Sequence, residues 1–292
     1  MAQRPSDVVV GVILVILVLF LVWTAFSFFR PSRDQRFMTG EGDVAVISMS
    51  GMITDARPFL ERLEHFVDRR DVQAIVIRVE SPGGVVAASQ EMYEGVKRAR
   101  DTGKPVVISM GSIAASGAYY LALGADTILA NPGTLTGSIG VLMDFPQTTK
   151  LLNTLGIEFH SVTSGPLKNA GAPYTEWDEQ TREYFSSIVM NTYEQFITAV
   201  AEERRMDIDS VRTLADGRVY TGEQALHYGL VDQLGDLHQA IRVAAEMAGI
   251  AGEPTIVKSR ERQLRLWDVL FGDLNQLMDQ VYQAPLLEYR YP

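Results

Sequence analysis

The sequence predicts an α/β domain attached to one N-terminal membrane-spanning helix. Two runs, VQAIVIRVES and PVVISM, are almost continuously apolar and have the length of buried strands. Segments with helical spacing of their apolar residues alternate with such runs, which is typical of parallel strands joined by helices and covered on both faces. Residues 8–29 contain no charge. At about 1.5 Å rise per residue, a helix of this length can cross a bilayer core of roughly 30 Å.

The first half of the soluble part alternates regularly between strands and helices. Residues 44–51 predict a strand that ends in glycine, and residues 59–71 have helical spacing. A second strand is predicted at 72–81, followed by an amphipathic helix over 89–103 that Gly103 ends. A third buried strand is predicted at 105–110.

The second half contains weaker strand patterns and two longer helical patterns. Strand-like apolar runs occur at 127–132, 138–143 and 158–164. Helical spacing extends over 175–205 and again over 263–280. We therefore divide the chain into a tail, anchor and linker (1–36, span 8–29), one α/β domain (37–260) and a C-terminal helical tail (261–292).

Two alternatives to a retained anchor are a cleaved signal peptide and a buried core helix. The apolar run is longer than a usual signal-peptide core, and no clear small-residue cleavage site follows it. Arg30, Arg33 and Arg36 follow the span, whereas Arg4 precedes it. A plain positive-inside count would therefore place the body of the protein in the cytoplasm.

The composition of the 292 residues excludes several classes of function. The chain has no cysteine, which removes a cysteine nucleophile, a thiolate metal site and an iron–sulfur cluster. Its net charge of −10 argues against nucleic-acid binding. Four scattered histidines give no obvious metal site.

Three glycine-rich segments each follow an apolar strand: ESPGG (80–84), MGSIAASGAYY (110–120) and TGSIG (136–140). In an α/β sheet the carboxyl ends of the strands open onto the ligand crevice, where glycine lets backbone N–H groups approach a substrate. None of the segments matches a phosphate-binding loop. Taken singly, each segment is also compatible with an ordinary turn.

Ser116 lies where a strand is expected to give way to a helix, so its hydroxyl is either a helix cap or a nucleophile. A nucleophilic serine needs a base. No Ser–His–Asp arrangement emerges from the four histidines, although triads assemble from any chain order. Among the five lysines, Lys168 is in a turn-rich loop, SGPLKNAGAPY, that carries no other charge. Burial there would lower its pKa towards the range of a general base, whereas a solvated loop lysine remains the alternative.

Taken together and in this order, the segments resemble the signal peptide peptidase SppA family in its short, single-domain bacterial form. The resemblance covers roughly residues 44–235. It is carried by ESPGG, SMGSIAASGAYYLA, TLTGSIGV, SGPLKNAG and DGRVYTGEQALHYGLVDQLG. Members are Ser/Lys proteases of the ClpP/crotonase superfold, so the resemblance implies a fold of stacked ββα units behind the anchor.

The resemblance also implies roles for individual residues. Ser116 matches the nucleophile, Lys168 the general base, and Ser138 a serine that orients the lysine. Gly83 and Gly117 match the backbone donors of the oxyanion hole. The family needs no metal or organic cofactor, and the DGRVYTG segment is expected to support architecture and oligomer contacts.

The implied partners are extended peptides such as cleaved signal peptides, the lipid bilayer and further copies of the chain in a ring. The implied location is the bacterial cytoplasmic membrane, with the catalytic domain outside the cytoplasm, against the arginine count. Rival interpretations are a crotonase-type acyl-CoA enzyme, a non-catalytic scaffold that binds membrane-protein segments, and a prohead or tail-specific protease. The acyl-CoA and scaffold interpretations do not account for both Ser116 and Lys168.

Overall fold

A computed structural model of the chain describes residues 42–259 and 288–290, all within one compact unit, Thr39–Pro292. The predicted membrane span (8–29) and the predicted helix at 263–280 lie outside the described residues. Among the residues that are described, no helix combines the length and the apolar character needed to cross a membrane.

The described residues form a mixed α/β structure. Its strands are β1 Val44–Ser50, β2 Ala74–Ser81, β3 Gly83–Val85, β4 Val106–Ala115, β5 Thr127–Ala130, β6 Leu135–Gly137, β7 Val219–Thr221, β8 Gln233–Leu234, β9 Ile256–Lys258 and β10 Glu288–Arg290. Its helices are α1 Arg57–Asp68, α2 Val86–Asp101, α3 Gly117–Ala122, α4 Thr149–Thr154, α5 Glu179–Arg204, α6 Ile208–Leu214, α7 Gly222–His227 and α8 Leu237–Met247, with a 3₁₀ turn at Pro166–Asn169.

The strands predicted at the start of the domain are confirmed and lie side by side in one sheet. The strand order is β7-β6-β4-β2-β1-β9, with β5 beside β4 and β8 beside β5. All of these pairs are parallel except β6 with β7. The two remaining strands, β3 and β10, pair with each other in antiparallel fashion.

The central strands are largely apolar because both of their faces are covered. Alternate residues of the strands, such as Val44, Val76 and Val107, pack against α8 in one buried cluster. The residues between them, such as Ile75 and Ile77, are equally buried and point to the other face. Helices α1, α2 and α3 contact one another in turn and contact β1 and β4.

Strand β4 extends five residues beyond the predicted run and carries the chain to Ser116. Its first half pairs with β5 and its second half with β6, while β2 lies along the other edge. The β2–β4 register shifts near Glu80. The carboxylate of Glu80 accepts hydrogen bonds from the backbone N–H groups of Ser112 and Ile113 and so satisfies them at the irregularity.

Helix α5, which the sequence predicts over 175–205, is held against α2 by a half-buried charge cluster. The Glu203 carboxylate accepts from the Tyr93 hydroxyl at 2.8 Å and from the Arg100 guanidinium at 3.0 Å, and it pairs with Lys97 at 3.1 Å. Burial alone would raise the pKa of Glu203, but these three donors outweigh it and lower that pKa.

The strands predicted at 138–143 and 158–164 are wrong. Strand β6 ends at Gly137, directly before the first of these runs. Gly137 has φ +76° and Ser138 has φ 50°, and neither value is compatible with an extended strand. The second run pairs with no strand among the described residues, and its apolar side chains Phe159 and Val162 are exposed. Residues 288–290, at the end of the predicted helical tail, form strand β10.

Replacement of Gly222 by alanine tests the packing of α7 against the loop before β6. A Cβ atom at Gly222 would lie 2.0 Å from the Asn131 carbonyl oxygen, whereas a Cβ at Gly133 would meet nothing within 4 Å. We expect Gly222→Ala to lower the free energy of unfolding by about 1–3 kcal/mol. Gly133→Ala should leave it unchanged in the same urea titration followed by circular dichroism. Equal losses in both variants would contradict this packing.

Candidate active site

Ser116 is the single residue that joins the end of β4 to the start of α3. Its backbone has φ 55° and ψ −118°, a conformation that L-residues rarely adopt. Its side chain is only 1% exposed. A non-glycine residue in such a conformation costs about 1–3 kcal/mol and persists only where the surrounding structure fixes it.

Hydrogen bonds from β6 and α3 fix the backbone of Ser116. Its N–H donates to the Gly137 carbonyl at 2.8 Å, and its carbonyl accepts from the Tyr120 N–H at 2.8 Å. One residue earlier on β6, the buried Thr136 hydroxyl donates to the Ala114 carbonyl at 2.7 Å. Hydrogen bonds therefore fix the backbone on both sides of Ser116.

The Ser116 Oγ atom is buried and has no hydrogen-bond partner among the described residues. A buried hydroxyl without a partner costs about 1–3 kcal/mol. The helix-cap alternative predicts a bond from the α3 N-terminus to this oxygen, and the side chain makes no such bond. Its free lone pairs remain available to a base or a substrate.

Ser138 follows the residue that binds Ser116, so the structure brings these two serines to the same place. Ser138 is 4% exposed, has φ 50°, and its N–H donates to the Arg218 carbonyl at 2.9 Å. Close packing of Tyr220 explains the glycine before it, because a Cβ at Gly137 would lie 2.6 Å from the tyrosine ring.

Lys168 lies on the exposed 3₁₀ turn at Pro166–Asn169. Because Ser116 Oγ has no partner among the described residues, the Lys168 ammonium group is not bonded to it. The turn belongs to a segment that we call the excursion, residues 144–177, which precedes α5. The excursion exposes Leu151, Leu155 and Phe159 to solvent.

The two glycines predicted to form the oxyanion hole differ in their bonding. Gly117 is the first residue of α3, where the backbone N–H groups have no intrahelical acceptor. The Gly83 N–H instead donates to the Ser81 hydroxyl at 3.1 Å. Gly83 has φ +102°, a conformation that glycine adopts without a steric penalty.

A cavity of about 470 Å³ opens beside Ser138. Most of its lining is apolar and comes from α5 and from the chain on either side of it. The lining residues are Ser138, Gly140, Val141, Leu142, Val189, Met190, Tyr193, Ala215, Asp216 and Gly217. A cavity of this size and lining can accept a large aliphatic side chain.

The charged residue of this lining, Asp216, is held ionised. A hydrogen bond from the Arg218 guanidinium is the main cause that lowers the pKa of Asp216 to about 2. The sequence interpretation gave the DGRVYTG segment an architectural role, whereas two of its residues, Asp216 and Gly217, line the cavity. Within residues 42–259 no cluster of acidic residues and histidines is arranged to hold a metal ion.

Sequence reasoning missed the contribution of α5 to this cavity. Val189, Met190 and Tyr193 line it, although the helical spacing indicated only that one side of α5 is apolar. The Tyr193 hydroxyl donates to the Ala215 carbonyl at 2.6 Å, which connects α5 to the segment that lines the opposite side. The tyrosine hydroxyl on the otherwise apolar side of α5 was the feature of the sequence that could have indicated this contribution.

Residues 98–251 match the family model described as Peptidase family S49, over more than half of the chain. The chain belongs to peptidase family S49. A Synechocystis sp. protein that carries a protease name, slr0021, is 37% identical over 246 residues, which cover 84% of this chain and 88% of that protein. The resemblance to the SppA family is thereby confirmed, and the chain is a serine-type peptidase.

Two further relatives are longer than this chain. Protease 4 of Salmonella typhi is 33% identical over 281 residues, which cover 90% of this chain but 44% of that protein. An Enterococcus faecium protein that carries the name signal peptide peptidase SppA is 33% identical over 211 residues, or 68% of this chain and 61% of its own length. A solved structure of a membrane-bound stomatin-specific protease mutant aligns with TM-score 0.43 and 19% identity, over 70% of this chain and 85% of its own.

The conformation of Ser116 makes a stability prediction that is independent of activity. Because φ is 55°, Ser116→Gly removes a backbone strain that Ser116→Ala keeps. We expect the glycine variant to be more stable than the alanine variant by about 1–2 kcal/mol in chemical denaturation.

Ser89 provides the matched control, since it is also buried but lies inside α2. There the order should reverse, with Ser89→Gly about 1 kcal/mol less stable than Ser89→Ala. The same order at both positions would argue against strain at Ser116.

Proposed function

We propose that this chain is a membrane-anchored serine endopeptidase that uses Ser116 and Lys168 as a catalytic dyad. The observation that carries the proposal is the Ser116 hydroxyl, which is buried, has no hydrogen-bond partner among the described residues and is held at a strained turn. The apolar cavity is lined by the neighbouring Ser138. A hydroxyl kept in this state at a cost in stability is typical of a nucleophile. Membership of family S49 supports the same assignment.

The proposed reaction is acyl transfer to Ser116. Neutral Lys168 accepts the Oγ proton as Oγ attacks the scissile carbonyl, and it then gives that proton to the leaving amine. The Ser138 hydroxyl forms a hydrogen bond with the Lys168 amine and so orients it. A water that Lys168 deprotonates then hydrolyses the acyl-enzyme.

Gly117 and Gly83 are proposed to stabilise the oxyanion of each tetrahedral intermediate. The Gly117 N–H belongs to the first turn of α3, where it has no intrahelical acceptor, whereas the Gly83 N–H must exchange its Ser81 partner for the substrate oxygen. Loss of one such donor typically costs about 10²–10³ in turnover. Of the two proposed donors, only Gly83 must therefore break an existing hydrogen bond before it can bind the substrate oxygen.

The substrates that we propose are remnant signal peptides and misfolded membrane or secreted proteins. The cavity beside Ser138 is lined by Val141, Leu142, Val189 and Met190 and suits apolar side chains of the kind that fill signal-peptide cores. The enzyme name of the Enterococcus relative agrees with this substrate class. We further propose that the fold is of the ClpP/crotonase class and that residues 8–29 anchor the catalytic domain outside the cytoplasm.

The dyad is tested by peptide cleavage with single variants of the full chain in detergent. We expect Ser116→Ala and Lys168→Ala each to lower cleavage of synthetic signal peptides and casein by at least about 10²–10⁴, because each removes the attacking atom or its base. Ser138→Ala should cause a smaller loss. Mass spectrometry of the fragments measures both the rate and the cleavage sites.

Two matched residues serve as controls for the dyad. Ser112 lies exposed on β4, which ends directly before Ser116, and Lys258 lies exposed on β9, outside the excursion. Ser112→Ala and Lys258→Ala should cleave like the wild type. Undiminished cleavage by the Ser116 and Lys168 variants would refute the dyad. A silent wild type that assembles normally would favour a non-catalytic scaffold.

We also propose that the chain forms a homo-oligomer in which other copies cover the excursion. Leu151 and Leu155 are 61% and 62% exposed, which is unusual for two leucines of one short segment. Coverage of this segment would also exclude water from the neighbourhood of Lys168, which lies on the same excursion. The apolar excursion and the catalytic lysine would then be parts of one interface.

Leu155→Asp tests the homo-oligomer, because it places a charge on the proposed interface. We expect the variant to lose both its assembled mass, measured by sedimentation in detergent, and at least about tenfold of its activity. Ile208→Asp, on the exposed first residue of α6, should retain both. If the assembled mass of the Leu155→Asp variant is unchanged, the excursion is not part of the interface.

A further inference from the structure

Strands β2 and β4 lose their common register near the candidate active site. Val79 of β2 lies opposite Met110 of β4, and the next paired residues are Ser81 and Ala114. β4 therefore advances by four residues where β2 advances by two. We call residues 111–113 of β4 the bulge. A bulge interrupts the ladder, so its backbone groups have no paired residue on the neighbouring strand.

Side chains from three elements replace the ladder along this part of β4. The Arg78 guanidinium of β2 donates to the Met110 carbonyl at 3.0 Å. The Thr134 hydroxyl, directly before β6, donates to the Gly111 carbonyl at 2.6 Å. Both bonds satisfy carbonyl oxygens. The backbone N–H groups of the bulge need an acceptor instead.

Glu80 of β2 supplies that acceptor. Its Oε2 atom accepts from the Ser112 N–H at 2.9 Å, and its Oε1 atom accepts from the Ser112 and Ile113 N–H groups at 3.1 and 3.2 Å. A Cβ atom at Gly111 would lie 1.7 Å from Oε2, so the glycine leaves the space that the carboxylate occupies. The carboxylate thus bonds directly to the backbone of the bulge.

Glu80 links the two segments that carry the proposed oxyanion donors. The next residue on its own strand is Ser81, whose hydroxyl accepts from the Gly83 N–H at 3.1 Å. On the other side of the carboxylate, the bulge continues through the end of β4 to Ser116 and Gly117. The bonds of Glu80 therefore fix one segment against the other.

The distance between these two segments matters for the proposed chemistry. Oxyanion donors act only if they lie about 2.7–3.1 Å from the position of the oxyanion, and a misplacement of about 1 Å can cost about 10²-fold in rate. We propose that Glu80 is a positioning residue for this reaction, whose carboxylate sets the place of Gly83 relative to Ser116 and Gly117. The role rests on the proposed peptidase function, whereas the hydrogen bonds of Glu80 do not.

Glu80→Gln tests the bonds without any catalysis. Both carboxylate oxygens accept from the Ser112 N–H, so in either orientation of the new amide its nitrogen faces that N–H, and two donors cannot bond. We expect hydrogen exchange of the Ser112 and Ile113 amides, resolved by mass spectrometry of the full chain in detergent, to become at least about tenfold faster. Unchanged exchange at both amides would overturn the proposal.

Kinetics of Glu80→Gln test the positioning role. We expect kcat for a synthetic signal peptide to fall at least about tenfold and KM to stay within about twofold, because the lost geometry is needed in the transition state. Any cleavage that keeps the kcat of the wild type would overturn the role even if exchange is faster.

A pair of inhibitors separates positioning from a loss of folded protein. Ser116 Oγ adds to the carbon of a peptide aldehyde, its proton passes to Lys168, and the former carbonyl oxygen becomes an oxyanion. The aldehyde should bind Glu80→Gln at least about tenfold more weakly, and the corresponding peptide alcohol should bind within about twofold of the wild type. A smaller fraction of folded molecules changes neither inhibition constant, so equal constants in variant and wild type would overturn the role.

Asp126 provides the matched control at the other end of β4. Its carboxylate accepts from the Val106 N–H at 2.8 Å, far along the strand from Ser116. Asp126→Asn makes the same change from acid to amide on the same strand, and we expect kcat and both inhibition constants to stay within about twofold. Equal losses of kcat in the Asp126 and Glu80 variants would overturn a specific role of Glu80.

Gly111→Ala moves the carboxylate without changing it. In the wild type the new Cβ should lower kcat at least about tenfold, whereas in a Glu80→Ala chain the same substitution should cost less than about twofold, because the colliding carboxylate is gone. Losses that multiply would overturn the proposal. A wild type that neither cleaves peptides nor prefers the aldehyde to the alcohol would count against the proposed function, and the positioning role would fall with it, while the exchange result would still establish the bonds of Glu80.

Discussion

The turn at Ser116 depends on the pairing of two strands at one edge of β4. β4 uses its first half to pair with β5 and its second half to pair with β6, and the last residue of β6 accepts the Ser116 N–H. Without that bond, a serine at φ 55° would relax into a common region of backbone space and its hydroxyl would turn away from its present place. Strand pairing in the sheet thus offsets the cost of the strained backbone and of the unpartnered hydroxyl at Ser116.

The same dependence extends to the residues around the turn. The last residue of β6, Gly137, has no side chain because Tyr220 of β7 packs against its Cα. The next residue, Ser138, is held by the Arg218 carbonyl, which immediately precedes β7. Strand β7 therefore positions both the acceptor of Ser116 and the side chain proposed to orient Lys168, although it lies about a hundred residues further along the chain.

The sequence predicts the part of the fold in which pattern and burial agree. β1, α1, β2 and α2 follow from apolar periodicity, since each is buried on the face or faces that its pattern indicates. Residues 138–143 and 158–164 fail as strands for different reasons. Val141 and Leu142 line the cavity and lie outside the named strands, and the Phe159 ring stacks on the Tyr174 ring within the exposed excursion, with 4.4 Å between the ring centroids. An apolar pattern alone therefore does not determine whether a segment has a neighbouring strand to pair with.

Of the candidate site, the motifs indicated Ser116 and Ser138, and the structure places them together. The apolar cavity could not be predicted, because its lining joins residues 138–142, helix α5 and residues 215–217, which are far apart in the chain. Burial of one large aliphatic side chain is worth about 1.5–3 kcal/mol, or roughly 10- to 100-fold in affinity. The cavity beside Ser138 has the lining for such a side chain, and it is the physical basis of the proposed preference for apolar substrates.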